Sequence, residues 1–152
     1  MSGPPSGDDV PDRSLPGLLY LVKQLELAVR ARLDEVLRPL SVTTLQYTAL
    51  SVLERRDMTT AELARNSFVA DQTMAGMVAA LEARGLIERH THPDDRRSRV
   101  IRLSPQGREL LAAVRAPVAE VERRLLAGFS PAEAAELRRS LLRGHAALTE
   151  DG

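Results

Sequence analysis

The residues best equipped for chemistry lie late in the chain, in the stretch RHTHPDDRRSRVIRLSPQG at positions 89–107. From position 84 to 108 there are arginines at Arg84, Arg89, Arg96, Arg97, Arg99, Arg102 and Arg108. Only Glu88, Asp94 and Asp95 oppose them, which leaves a local excess of four positive charges on a chain whose formal charge is zero. A guanidinium is permanently charged, planar and rich in donors, so it suits phosphate. At the tip of a hairpin it can also enter a narrow minor groove, where the potential is most negative and fit is read through groove width. The Pro-Asp-Asp turn lies between LIERHT and RVIRLS. The second run carries the β-formers Val100, Ile101 and Leu103, so the segment reads as a hairpin with a long polar loop. The competing reading is a charged loop that is simply solvated, and the upstream elements must decide between the two.

Other chemistry is limited by composition. There is no Cys, which removes disulfides, thiolate metal cages and cysteine nucleophiles. His90 and His92 are two apart on a strand and share a face, but without Cys and beside a basic loop they make a poor metal site, and His145 lies far along the chain. No Ser/His/Asp constellation and no Gly-rich phosphate loop is present, so neither an enzyme nor a cofactor is expected. Aromatic residues are 3% of the 152 residues, so the core must be aliphatic, which favours helices over a sandwich. The length suits one domain. No apolar run approaches the roughly 18 residues of a membrane span, and the N-terminus lacks a signal peptide's basic start and apolar core; the expected location is the cytoplasm.

The elements that would position the arginines follow from periodicity and caps. Residues 1–14, rich in Pro, Gly, Ser and Asp, are expected to form a disordered tail. From Leu15, apolar residues at Leu18, Val22, Leu25, Val29, Leu33, Val36 and Leu40 predict a long amphipathic helix, and Pro39 should end it at Arg38 or just before. Thr43 with Gln46 is a capping box for a second helix reaching about Arg56, and Thr59 with Glu62 repeats the device for a short third helix ending near Asn66. A turn at 67–70 leads into a helix at 71–84 with an apolar stripe of Met74, Met77, Val78 and Leu81, closed by Gly85. Two short helices joined by a tight turn form a helix-turn-helix. After the hairpin, Ser104-Pro105 opens a helix carrying Leu111, Val114, Val118, Val121 and Leu125 to about Gly128, bent at Pro117. Ser130-Pro131-Ala132-Glu133 starts a last one with Leu137, Leu141 and Leu148 on one stripe. The stripes of the first and last two helices need a partner. An isologous dimer that buries Leu18, Leu25, Val121, Leu125, Leu137 and Leu141 would supply it.

The expected fold is therefore mostly α with a small β-hairpin wing. Residues 41–104 would be a winged helix-turn-helix lobe for DNA, flanked by dimerisation helices at 15–40 and 105–149. In this order, LEARGLIERH followed by PDDRRSRVIRLSPQG resembles the MarR (multiple antibiotic resistance regulator) family of bacterial winged-helix transcription factors, from about Leu15 to Leu148. The resemblance implies that Arg97 is the wing-tip arginine and Asp95 the acidic residue that orients it. The helix at 71–84 would enter the major groove. There Gln72 is suited to adenine, Asp71 to a cytosine amino group or to helix capping, and Thr73 to a phosphate or thymine methyl. Thr60, Gly76, Met77, Arg96 and Arg99 complete the DNA-facing set. The sequence departs from the family at Ala75 and Gly76, where a hydroxyl and then an arginine are common; this leaves closer helix approach or greater reliance on wing and phosphate contacts. Family members commonly release DNA when a small aromatic or anionic effector enters a crevice between the dimerising helices and the lobe. Tyr20 and Tyr47 would line such a crevice, or else pack into the core.

The function expected is a homodimeric, DNA-binding transcriptional regulator, a ligand-responsive repressor of an inverted-repeat operator in double-stranded DNA. The alternative is a winged-helix protein-interaction module without sequence-specific DNA binding, which the missing helix arginine favours and the arginine wing opposes.

Overall fold

The computed structural model describes residues 15–150; the expected tail at 1–14 lies outside the described residues. Six helices and one hairpin follow the order α1 Leu18–Leu37, α2 Thr44–Arg55, α3 Thr60–Ser67, α4 Asp71–Ala83, β1 Ile87–Thr91, β2 Arg99–Leu103, α5 Pro105–Leu125 and α6 Pro131–Thr149. The fold class is the expected one. Helix α1 stops where the residue before Pro39 disfavours continuation, and a 3-10 turn at Arg38–Leu40 carries the chain to Ser41, which turns through φ 54°.

Side-chain caps set most helix starts. Thr43 Oγ1 accepts from the Gln46 amide and Gln46 Oε1 accepts from the Thr43 amide, both at 3.1 Å, which satisfies two orphan amides reciprocally. Ser130 and Glu133 do the same for α6. At α3 only half of the expected box forms: Thr59 Oγ1 accepts from the Glu62 amide, but the Glu62 carboxylate takes the Thr59 hydroxyl and the Arg56 guanidinium. A nearby cation outcompetes the backbone for that carboxylate. The capping role considered for Asp71 is not realised. Ala70 is the N-cap of α4 with no side-chain bond, and Asp71 is the first helical residue, where its charge complements the helix dipole. Helix α5 runs on through Pro117 and ends at Leu125, slightly short of the expected Gly128.

The two strands pair antiparallel with Ile87 opposite Leu103 and Arg89 opposite Ile101. Met58 exchanges backbone hydrogen bonds with Ile101, so the segment before α3 adds one residue to the outer side of β2. Ile87, Ile101 and Leu103 point inward and close an aliphatic core with Leu50, Leu53, Leu63, Met74, Val78, Leu81 and Leu111, while Val100 is buried outside that cluster. A smaller cluster of Leu37, Val42 and Val114 joins the end of α1 to α5. At the start of α5, Gly107 lies so close to β1 that a Cβ would sit 2.3 Å from the Leu86 carbonyl oxygen, which explains the glycine.

Burial is uneven. The core belongs to α2, α3, α4, the hairpin and the first half of α5, whereas α1 buries only Leu37 and α6 buries no residue at all.

Candidate nucleic-acid interface

The tight turn between α3 and α4 begins with Phe68, which takes the left-handed conformation at φ 55° and closes α3, followed by Val69 and Ala70. Behind it, Met74, Val78 and Leu81 anchor α4 in the core. That choice of buried face leaves Asp71, Gln72, Thr73, Ala75 and Gly76 exposed along the first half of the helix. Met77 is partly buried and packs against the core, so it contributes more to seating α4 than to the exposed face. A Cβ at Gly76 would meet nothing within 4 Å; no neighbour requires this glycine. Thr60 begins α3 and is half-buried. The exposed face of α4 is thus small and nearly uncharged, with Gln72 the one side chain on its N-terminal half that both donates and accepts through an amide.

The wing supplies the charge that α4 lacks, and the structure divides its arginines into two groups. Arg89 pairs with Glu82 at 3.0 Å and Arg102 binds Asp57 through both Nε and Nη2, at 3.0 and 2.8 Å. Asp57 holds the Arg102 guanidinium pKa above its ordinary value. Arg84 donates to the carbonyl oxygens of Ser41 and Leu40 and so leaves the wing's cationic set. Arg96, Arg97 and Arg99, at and beside the tip, are exposed and have no carboxylate partner among the described residues. The cationic surface is therefore concentrated at the tip, where long side chains can reach furthest from the body of the protein.

Asp95 organises that tip, though through the backbone and not through a guanidinium. Its Oδ1 accepts from the Arg97 amide at 2.9 Å and its Oδ2 from the Ser98 hydroxyl at 3.1 Å, while its carbonyl accepts from the Ser98 amide. Such Asx-type bonds fix the local backbone at Arg97. The Arg97 amide, then the Ser98 hydroxyl, hold the Asp95 carboxyl below its ordinary value. Because the folded pKa is depressed, this ordering is fully present above the unfolded carboxylate pKa and is lost as pH falls through the folded one. The wing is consequently set at neutral pH.

His92 accepts from the Asp94 amide through Nδ1 and His90 contacts Glu88, so both ring systems are engaged in local hydrogen bonds. Among the described residues no group of three or more His, Asp or Glu side chains stands close enough to hold a metal ion. No described helix is long and apolar enough to cross a membrane.

The tyrosines do not share one crevice. Tyr20 is 59% exposed near the start of α1. Tyr47 packs against both clusters and edges a groove of about 330 Å³ with Ser51, Arg55, Arg115 and Val118. A larger cleft of about 1070 Å³ opens between α1, the start of α2 and the turn after α3; it is lined by Arg30, Arg38, Thr44, Thr48, Ser67 and Phe68, with neither tyrosine. The Ser67 hydroxyl there is buried without a hydrogen-bond partner. Its walls mix charged and apolar residues, such as Arg30, Asp34, Val42 and Val69, from segments far apart in the chain, so no local pattern in the sequence marks it.

Of the six apolar positions expected at a dimer interface, Leu18 is 74% and Leu141 51% exposed, and Leu25 is also open. Val121, Leu125 and Leu137 are half-buried. Val121 and Leu125 share a groove with Leu25 and Val29 of α1.

Comparison with known proteins follows the same lines. Residues 40–98 match the model of the MarR family. The chain is 31% identical to a probable transcriptional regulator of solved structure from Pseudomonas aeruginosa, covering 83% of this chain and 95% of that one with a TM-score of 0.71. It is 29% identical over 135 residues to the HTH-type transcriptional repressor Rv2887 of Mycobacterium tuberculosis, covering 88% of this chain and 93% of the relative. The fold is also that of CouR from Rhodococcus jostii, solved bound to p-coumaroyl-CoA, at 21% identity and a TM-score of 0.77, covering 89% of this chain and 94% of that one. A helix-turn-helix, an arginine-tipped wing and these relatives lead to one conclusion: the chain belongs to the MarR family of transcriptional regulators.

Proposed function

We propose that the protein is a homodimeric repressor that binds an inverted-repeat operator in double-stranded DNA and responds to a small ligand. The observation that carries the reading is the division of labour between α4 and the wing. A small, nearly neutral helix face can lie deep in a major groove with Gln72 reading an adenine, and free arginines at the tip reach the flanking minor groove. In this reading residues 41–104 form the DNA-binding lobe, and 15–40 with 105–149 form a dimerisation stem. The exposed leucines of α1 and α6 supply the contact, since such a stripe is stable in water only when covered. A two-fold dimer would present two α4 helices to successive turns of DNA. The named repressor among the relatives supports the sign of regulation.

The ligand-bound relative supports a response to a small molecule. The cleft between α1, α2 and the α3–α4 turn suits one that is anionic: Arg30 and Arg38 line it, although Glu26 and Asp34 each offset part of that charge. Tyr47 edges the separate groove beside α5, whereas Phe68 is the aromatic side chain on this cleft. A ligand wedged there would act by favouring one separation of the two α4 helices over another. Selection of bound sequences from a random DNA pool tests the proposal. It should recover an inverted repeat with half-sites about one helical turn apart; recovery of no repeat would favour the protein-interaction module instead.

A further inference from the structure

Arg84 stands at the C-terminal end of α4, yet its side chain does not face the wing. Nη1 donates to the Ser41 carbonyl at 2.7 Å and Nη2 to the Leu40 carbonyl at 2.9 Å, more than forty residues back along the chain. Those carbonyls leave the 3-10 turn that joins α1 to α2, and Ser41 there adopts the left-handed conformation. Carbonyls at the end of a helical turn have no following turn to supply amides, so a forked guanidinium is a fitting donor. Arg84 is also followed by Gly85 at φ 74°, where the chain swings into the wing. One exposed side chain therefore links the end of the recognition helix to the only covalent joint between α1 and the lobe.

The other ties across this joint run to α2 and α5, with Leu33, Leu40, Leu110 and Val118 packed around its buried core. The buried contacts there are Leu37 and Val42 against Val114 of α5, and Asp34 accepts from the Thr44 hydroxyl at 2.5 Å. These hold α1 to α2 and α5. Neither reaches α4, and only Arg84 bonds α4 to the joint by hydrogen bonds among the described residues.

We propose that Arg84 is a positioning residue that, by clamping the end of α4 to the α1–α2 joint, sets how the recognition helix is carried on the stem and thereby the half-site spacing the dimer accepts. The spacing consequence rests on the dimeric, palindrome-reading function proposed above; the clamp itself does not. Arg holds the two carbonyls through separate nitrogens of one rigid fork, whereas the donors of Lys share a single nitrogen on a flexible stem and hold them less firmly.

The clamp can be measured within one chain. The protein has no Cys, so cysteines introduced for Gln24 on α1 and Ala79 on α4, both exposed, take spin labels at those sites alone. Labelled chains diluted into a large excess of unlabelled protein report the α1–α4 distance by pulsed electron resonance. Arg84→Ala should widen that distribution and Arg84→Lys should widen it less, while helix content stays unchanged. An unaltered width in both variants overturns the clamp, and if the alanine variant is poorly folded the lysine variant carries the same decision. The second arm uses operators whose half-sites are moved apart one base pair at a time. Wild type should show a sharp optimum. Arg84→Ala should lose between about twofold and thirtyfold affinity at that optimum and much less at neighbouring spacings. A sharp optimum left unchanged by Arg84→Ala overturns the role of Arg84, whereas the absence of any optimum in the wild type counts against the palindrome reading and leaves the distance measurement to judge the clamp.

Discussion

The central lobe and the terminal helices are built from similar aliphatic residues but treat them in opposite ways. In the lobe, Leu50, Leu63, Met74, Leu81 and Ile101 are almost wholly buried and each helix but α4 begins with a side-chain cap. In α1 and α6, Leu18, Leu19, Leu141, Leu142 and Leu148 are 51–86% exposed, and capping is good at α6 though nothing in that helix is buried. Local signals thus form the terminal helices, whereas packing within the chain covers only the end of α1. The lobe has a complete core of its own, and the terminal helices leave much of their apolar surface open. Charge differs as well: among the described residues the tip arginines lack a carboxylate partner, while Arg30 of α1 pairs with Glu26, Arg139 of α6 with Glu136 and Arg138 of α6 with Glu122 of α5.

The largest expected break in this comparison comes from Leu141→Asp. An exposed leucine replaced by a charge leaves a monomer's fold intact, but at a covered interface it buries an unpaired carboxylate, which association avoids. DNA binding should collapse in a mobility-shift assay although Gln72 and Arg97 are untouched, and the variant should elute at lower mass. Full operator affinity in this variant would return α6 to the status of a solvated helix.

Gly107→Ala probes the lobe instead. Its new methyl must displace the Leu86 carbonyl or Leu103, both within 3 Å of the ideal Cβ position, so a loss of about 1–3 kcal/mol in denaturant unfolding is expected. Assembly should be retained. Unfolding at the wild-type midpoint would mean that the α5 start is not seated against β1 as described.

The finest distinction lies within the DNA-facing surface. Gln72→Ala should cost about 1–3 kcal/mol at one base pair per half-site and relax preference there with the salt dependence nearly intact. Arg97→Ala should weaken specific and unrelated DNA alike, and lower the slope of log affinity against log salt by about one unit per half-site. Competition and salt titrations on the two variants separate them; identical profiles would dissolve the division between a reading helix and a gripping wing.

How far these features were legible in the sequence depended on the range of the interactions that set them. Caps act over three residues, so the starts of α2, α5 and α6 could be read from Thr43, Ser104 and Ser130. Hydrophobic spacing likewise marked the helices, and the Pro-Asp-Asp turn marked the wing. What escaped was the partner of each arginine. Arg102 is claimed by Asp57 and Arg84 by Ser41 and Leu40, across more than forty residues in both cases, and no local pattern announces such pairs. The same holds for the backbone bridge from Met58 to Ile101. The Asp95 bond belongs to the short-range class that a sequence can show, since an aspartate that accepts from the amide two residues on is a common turn device. The cleft beside Ser67 has no local signature, because it exists only where α1, the start of α2 and the turn after α3 come together.

In the proposed function two copies of this chain act as one DNA-reading body, with α1, α5 and α6 as the stem. The mass of the free protein in solution at micromolar concentration, measured by sedimentation or light scattering, tests it most directly. A dimer of the 16.7 kDa chain is expected, with the same dimer bound once per inverted repeat. A monomer that binds its operator with full affinity would contradict it.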